Sequence, residues 1–385
     1  MTTLHDVHLV PLDGAAGTGP VDVEFEDTIT ALRPATGTSM LDAGQVDVGR
    51  ASGGHADTGG HVDGGGHVDG SGRFLVPGLI DTHVHLGSPE ALSAAARAGV
   101  TTVVDLGTHP DELIETQRAR SGAPSILSAG SAASAPGSTQ ISMMGFPAES
   151  GVHDPADAPR YLDWRVRHGA DLIKIIVEDP AATDVPSLDV ATLAALVSGA
   201  HERGLLTVAH VVTAAAFDRA LEAGVDVLTH APLDRPLADS TIRRMAEQGA
   251  VASPALVMMQ VMAEVHGGEQ AEALFGNALE SVRAMHAAGI PIVVGTDANE
   301  TPFAPVAHGP SAHDEIALLR RAGLTTEEVL RAATSGAADA FRLGDRGRLE
   351  VGRRADLVLV DRDPRTDPEI LRSPAAVWIG GVQVV

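Results

Sequence analysis

His83 and His85 stand two residues apart in the run Pro77-Gly78-Leu79-Ile80-Asp81-Thr82-His83-Val84-His85. In an extended chain, side chains two apart point to the same face, so both imidazoles are offered together. Two further histidines end apolar runs: His210 in Leu205-Leu206-Thr207-Val208-Ala209-His210 and His230 in Asp226-Val227-Leu228-Thr229-His230. A carboxylate, Asp297, ends a third, Ile292-Val293-Val294-Gly295-Thr296-Asp297. Four imidazoles and one carboxylate are a donor set that suits zinc, with manganese, iron, cobalt or nickel as alternatives. The chain has no cysteine, which removes disulfides, thiolate catalysis and thiolate ligands together.

Lys174 is the only lysine among 27 lysine and arginine residues, and it lies within Leu172-Ile173-Lys174-Ile175-Ile176-Val177. A guanidinium stays protonated in a protein. An amine in apolar surroundings has its pKa pushed down and can become a neutral nucleophile. Lys174 is therefore a candidate catalytic group, with a lysine snorkelling at a strand end as the plain alternative.

These residues need elements that bring them to one place. Short β-type runs alternate with helical patterns from about residue 77 onward. Strands are expected at Phe74–Thr82, Thr101–Leu106, Ser125–Ala129, Leu172–Val177, Leu206–His210, Val225–His230, Ala250–Leu256 and Ile290–Asp297. Helical spacing marks Pro89–Ala98, Leu188–Arg203, Thr213–Ala223 and Glu269–Ala288. Eight such units point to an α/β fold, a (β/α)8 TIM barrel over residues 77–340, in which the ends of the strands carry the chemistry. Residues 1–76 and 341–385 contain further β-like runs and are expected to pair as one small β-sandwich domain built from both termini. Within the first of these, GGHADT, GGHVDG and GGHVDG repeat from Gly53. The glycines make residues 53–72 a flexible surface loop rather than a fixed coordination sphere for His55, His61 and His67.

The chain has 385 residues, a formal net charge of −24 and 44% hydrophobic residues. That balance supports a sizeable core and excludes nucleic acid or an anionic membrane as partner. The opening MTTLHDVHLVPLDG lacks a basic stretch followed by an apolar one, so a soluble, cytoplasmic protein is expected, with a homo-oligomer possible.

PGLIDTHVH, the ordered His210, His230 and Asp297, and the terminal GRLEVGRRADLVLVDRDP together resemble the amidohydrolase superfamily of metal-dependent hydrolases over essentially the whole chain. The stretch HGPSAHDEIALLRRAGLTTEEVLRAATSGAADAF from His308 is similar to the imidazolonepropionase-like and prolidase-like branch. The resemblance implies that His83, His85 and Asp297 hold one divalent metal ion and His210 and His230 a second. It also implies that Lys174, as a CO2-derived carbamate, bridges them with a hydroxide. The implied reaction is hydrolysis of an amide or cyclic amide C–N bond in a small molecule, with Asp297 as proton shuttle. A mononuclear hydrolase resembling imidazolonepropionase, a prolidase-like dipeptidase and a non-catalytic scaffold are the alternatives. Deaminases of the superfamily place a glutamate where this chain has Thr213, and its dipeptidases use Tyr and Arg on the substrate carboxylate, whereas Tyr161 is the single tyrosine here.

The long connection from Gly130 to Pro159 carries Met143, Met144 and Phe146, and Met258, Met259 and Met262 follow the seventh strand. Long loops and adaptable methionines suit a substrate pocket with apolar walls. His109 and His308 are further candidates for substrate contact. His5, His8, His153, His168, His201, His266 and His286 fit surface or helix positions.

Overall fold

The computed structural model describes residues 1–12, 19–35 and 66–385. Five short strands come first: β1 (Thr2–Leu9), β2 (Val21–Phe25), β3 (Ile29–Pro34), β4 (His67–Asp69) and β5 (Phe74–Pro77). Helices then alternate with β6 (Leu79–Val84), β7 (Val100–Asp105), β8 (Ser125–Ser128), β9 (Leu172–Ile176), β10 (Leu206–His210), β11 (Val227–Thr229) and β12 (Val251–Ser253). The chain closes with β13 (Leu357–Val360), β14 (Ala376–Ile379) and β15 (Val382–Gln383).

β6, β7 and β8 form one parallel sheet, and β9 to β12 form another. Every residue of β6, β7, β9 and β11 is buried, as a parallel sheet covered on both faces requires. Single bridges link the sheets: Ala133 to Ile175, Ala252 to Ile292, and Val84 to Ala298.

The run Ile290–Asp297, expected as an eighth strand, is not a regular strand. Val293 donates its N–H to Ala252 O at 2.9 Å, and Thr82 donates to Val294 O at 2.9 Å, so the segment lies between β12 and β6 through isolated bonds. At Gly295 the neighbours come so close that a Cβ would collide with Ser253 Oγ, and at Asp297 the backbone turns to φ 57. A continuous ladder is lost there.

Two other expected strands are shorter than their apolar runs. Phe74–Thr82 divides at Gly78, where a Cβ would collide with Thr101 Oγ1, so β5 joins the terminal strands and β6 the parallel ones. Ala250–Leu256 is a strand only over β12, because Ala255 at φ 48 starts the helix Leu256–Gly267.

The terminal strands make one path, β15-β14-β13-β5-β1-β2-β3, with β4 beside β1. Phe25 on β2 and Trp378 on β14 meet edge to face with centroids 5.7 Å apart. Four strand spacings in a flat sheet would separate them by about 19 Å. The path therefore curls, burying Leu4, Val23, Leu75, Leu357 and Trp378 between its arms. Of the residues 53–72 expected as a loop, 53–65 lie outside the described residues. His67–Asp69 is strand β4, parallel to β1, with Val68 buried and His67 Nδ1 2.9 Å from His5 Nε2. Among the described residues no helix is long and apolar enough to cross a membrane.

Glu315, in the helix Pro310–Arg321, fixes the start of the helix Leu256–Gly267: its Oε2 accepts the Val257 N–H at 2.9 Å. It is fully buried, and burial raises its carboxyl to about 8, against the pull of those backbone bonds. A carboxyl raised in the folded state adds stability that is complete below its unfolded value and is lost as pH rises through the folded one. Each tenfold gain in proton affinity on folding is worth about 1.4 kcal/mol. Urea unfolding of the wild type and Glu315→Gln, compared at about pH 5, 7 and 9, checks this. The wild type should lose ground to the variant as pH rises, and parallel curves would contradict the assignment.

Candidate active site

The end of β6 delivers His83 and His85, the end of β10 delivers His210, and His230 follows β11. Asp297 comes from the irregular segment beside β6, and Lys174 from the middle of β9. The structure brings all six to the floor of one cavity of about 750 Å³. Ring centroids are 5.3 Å apart for His83 and His85, 5.0 Å for His83 and His230, and 4.6 Å for His210 and His230. Asp297 Oδ1 lies 2.9 Å from His85 Nε2 and 3.3 Å from His83 Nε2. Donor atoms of His83, His230 and Asp297 all fall within 4.8 Å of one another.

The backbone is bent to achieve this. His230 and Asp297 adopt φ 81 and φ 57, a left-handed conformation that costs a non-glycine residue on the order of 1–2 kcal/mol. Such strain persists where surrounding bonds over-determine it. Asp81 supplies several of them: its carboxylate accepts Thr296 Oγ1 at 2.7 Å, Thr296 N at 3.1 Å and His83 N at 3.2 Å. The Asp297 segment is thereby tied to β6. Burial raises the Asp81 carboxyl to about 7, opposed by these bonds. Thr229 orients His83, with Oγ1 2.6 Å from Nδ1, which leaves Nε2 facing Asp297.

Burial weakens the bases of the site. Burial lowers Lys174 to about 7, with Asp297 acting in the opposite sense. Burial first, then the Lys174 charge, lowers His210 to about 3 and His83 well below the usual imidazole range. His230 is lowered as far by burial and by His210. Lys174 Nζ and His230 Nδ1 are buried with no hydrogen-bond partner. Each such atom costs about 1–3 kcal/mol. Unpaired nitrogen lone pairs around one carboxylate fit divalent metal ions, and a neutral amine beside them fits a further anionic ligand made from it.

Above the floor, Met144, Phe146, Met258, Met259 and Met262 line the cavity with His109 at its edge. Met143 does not: it is 81% exposed, because the turn after the helix Thr139–Ser142 points it to solvent. His308 is also absent from this cavity. It is buried in a neighbouring pocket with Glu90, Arg97 and His313 that shares Asn299 and Glu300 with the main one. His266, a residue that fits a surface helix position, lines the main cavity from the last turn of Leu256–Gly267. Tyr161 is in the core with its OH donated to Ser131 O at 2.9 Å, and Thr213 caps the helix Ala214–Ala223. Asp81, Thr229, Gln140 and Glu300 were not legible as site residues. Asp81 stands inside the His83 motif and Thr229 directly precedes His230, which is the signal that could have found them.

Parallel sheets whose ends gather histidines and an aspartate into one cavity make a group of side chains that could hold a metal ion. The chain belongs to the Amidohydrolase family, whose model matches residues 74–384. It is thus a hydrolase of carbon–nitrogen bonds, of a family generally metal-dependent. An uncharacterized protein of Mycobacterium tuberculosis is 29% identical over 330 residues, 80% of this chain and 84% of its own length. Ochratoxinase of Aspergillus niger is 26% identical over 242 residues, 58% of this chain and 48% of its own. The crystal structure of a Xaa-Pro dipeptidase with methionine bound in its active site superposes with a TM-score of 0.82 at 20% identity, covering 99% of each chain.

A residue that fixes an imidazole from behind is worth about 10–100-fold in metal affinity. Thr229→Val, which removes the bond to His83 Nδ1, should weaken any divalent-metal binding by that order in competition with a chelator. Unaltered affinity would mean that His83 is held by packing alone.

Proposed function

We propose that this protein is a binuclear metal hydrolase that cleaves an amide or cyclic amide C–N bond of a small molecule with an apolar part. His83, His85 and Asp297 would hold one ion and His210 and His230 the other, with a Lys174 carbamate between them. The buried, unpartnered Lys174 Nζ carries this reading. With its pKa lowered to about 7, a fraction of the amine is neutral at physiological pH and free to attack CO2. The new N–C bond leaves a carboxylate, and the amine gives up one proton. That converts an unpaired base into an anion among imidazoles, two of which, His83 and His85, also contact the Asp297 carboxylate. We also infer that the two parallel sheets and the Asp297 segment close as a (β/α)8 barrel, and that the curled terminal path is a two-layered β domain.

Divalent ions held there would lower the pKa of a coordinated water towards about 7 and polarise the scissile carbonyl. The chain's own groups do the rest. Asp297, in contact with His83 and His85, accepts a proton from the attacking water and passes it to the leaving nitrogen. His83 is locked in one tautomer by Thr229, and Asp81 keeps Asp297 in register. The apolar walls exclude bulk water while the carbonyl reacts.

Lys174→Arg keeps the positive charge and cannot form a carbamate. An interaction of about 4 kcal/mol in the transition state corresponds to roughly a 1000-fold loss of kcat/KM. That loss is expected, together with a fall from two tightly held ions per chain by elemental analysis and disappearance of the carbamate signal after growth in labelled bicarbonate. A variant that stays active with one ion per chain would make Lys174 a packing residue.

A further inference from the structure

The charge of the cavity wall limits what can enter it. Lys174, on the floor, is the only lysine or arginine among the described residues that line the cavity. The walls are made mostly of methionine, leucine, valine and Phe146, with the neutral polar Thr108, Gln140, Thr213, Asn299 and Thr301 among them, and the two carboxylates besides Asp297 are Asp234 and Glu300. Glu300 is exposed at the mouth, where its Oε1 accepts the Ser88 hydroxyl at 2.8 Å. Asp234 accepts the Ala214 N–H at 2.9 Å and faces Arg235, which is itself turned to solvent and does not line the cavity. Arg165, buried nearby, is already committed: both Nη atoms contact Asp111 at 2.9 Å and Nε donates to Ala129 O at 3.0 Å. The other basic side chains of the wall are imidazoles.

A substrate carboxylate entering this cavity would give up its water, find no guanidinium or ammonium above the floor, and pass the Glu300 carboxylate, of its own sign, at the mouth. An uncharged body loses no such hydration and gains apolar contact on all sides. A basic group reaching the mouth would meet Glu300. Resting on the hydrolase reading above, we propose that the substrate is an amide with an apolar body and no carboxylate. Glu300 acts at the mouth as the selecting group. Peptides with a free C-terminal carboxylate are excluded on the same ground.

Three matched p-nitroanilides test this on the metal-replete protein at about pH 8, where an ordinary imidazole is uncharged. They are the adipoyl compound with a free carboxylate end, its primary amide, and the aminocaproyl compound with an ammonium end. Burying an unpaired carboxylate costs several kcal/mol, so kcat/KM for the amide should exceed that for the carboxylate by about 100-fold or more. Met262→Arg, which adds a guanidinium to the wall, should raise the carboxylate member relative to the other two. Glu300→Gln should narrow the gap between carboxylate and ammonium members, whereas a purely structural role would change all three alike. Calorimetric binding of the same compounds reads the preference without turnover. A carboxylate member that binds and reacts as well as its amide would overturn the inference and leave the hydrolase reading intact. No turnover of any member, with the binding preference present, would instead count against the hydrolase reading.

Discussion

His83, His210 and His230, in ring contact, and the Lys174 amine share one desolvated floor, and burial there favours their uncharged forms. Two unit charges about 5 Å apart repel by roughly 3 kcal/mol even at an effective dielectric of 20, and here the pairs are several. Burial removes the charge first, lowering Lys174, His83, His210 and His230 together. What is left is a ring of lone pairs with the Asp297 carboxylate against it. The parallel sheets exist, in functional terms, to bring that ring together from strands far apart in sequence. A fold that let water reach the floor would restore the charges and scatter the cluster.

Much of this was legible in the chain. The spacing of His83 and His85, the histidines at the ends of apolar runs and the lone Lys174 depend on local periodicity, which a sequence displays directly. The positions of β7, β8, β9 and β10 follow from the same periodicity. Where the structure departs, the cause is a long-range contact. Gly78 splits one apolar run because Thr101 leaves no room for a Cβ, and Gly295 faces Ser253 and Thr82 in the same way. Ala255 turns left-handed where the helix Leu256–Gly267 begins, and Asp297 does so beside His83 and His85. Val68 belongs to a strand inside a glycine-rich repeat because β1 offers it an edge and a core. No window of sequence holds those partners together.

The division between floor and wall also explains how a chain at 20% identity can superpose so fully on a dipeptidase. The strand ends that carry the clustered histidines are fixed by the sheets, whereas the cavity wall comes from connections and the first turns of helices. Walls can therefore change their charge and shape without disturbing the reacting groups. His308 and Met143 illustrate the limit of reading loops: His308 lines the neighbouring pocket behind His85, and Met143 turns to solvent.

The pairing of β5 with β13 sets a clock on biosynthesis. Phe74 faces Val360 across that ladder, so one edge of β5 has no partner until nearly the whole chain has been made. At roughly 5–20 residues per second, the wait is on the order of 15–60 s. During that interval the apolar residues Leu75 and Val76, later fully buried, are held on one side only by β1. A nascent chain stalled before residue 357 would thus present an open, apolar strand edge, the kind of surface on which chains pair with one another.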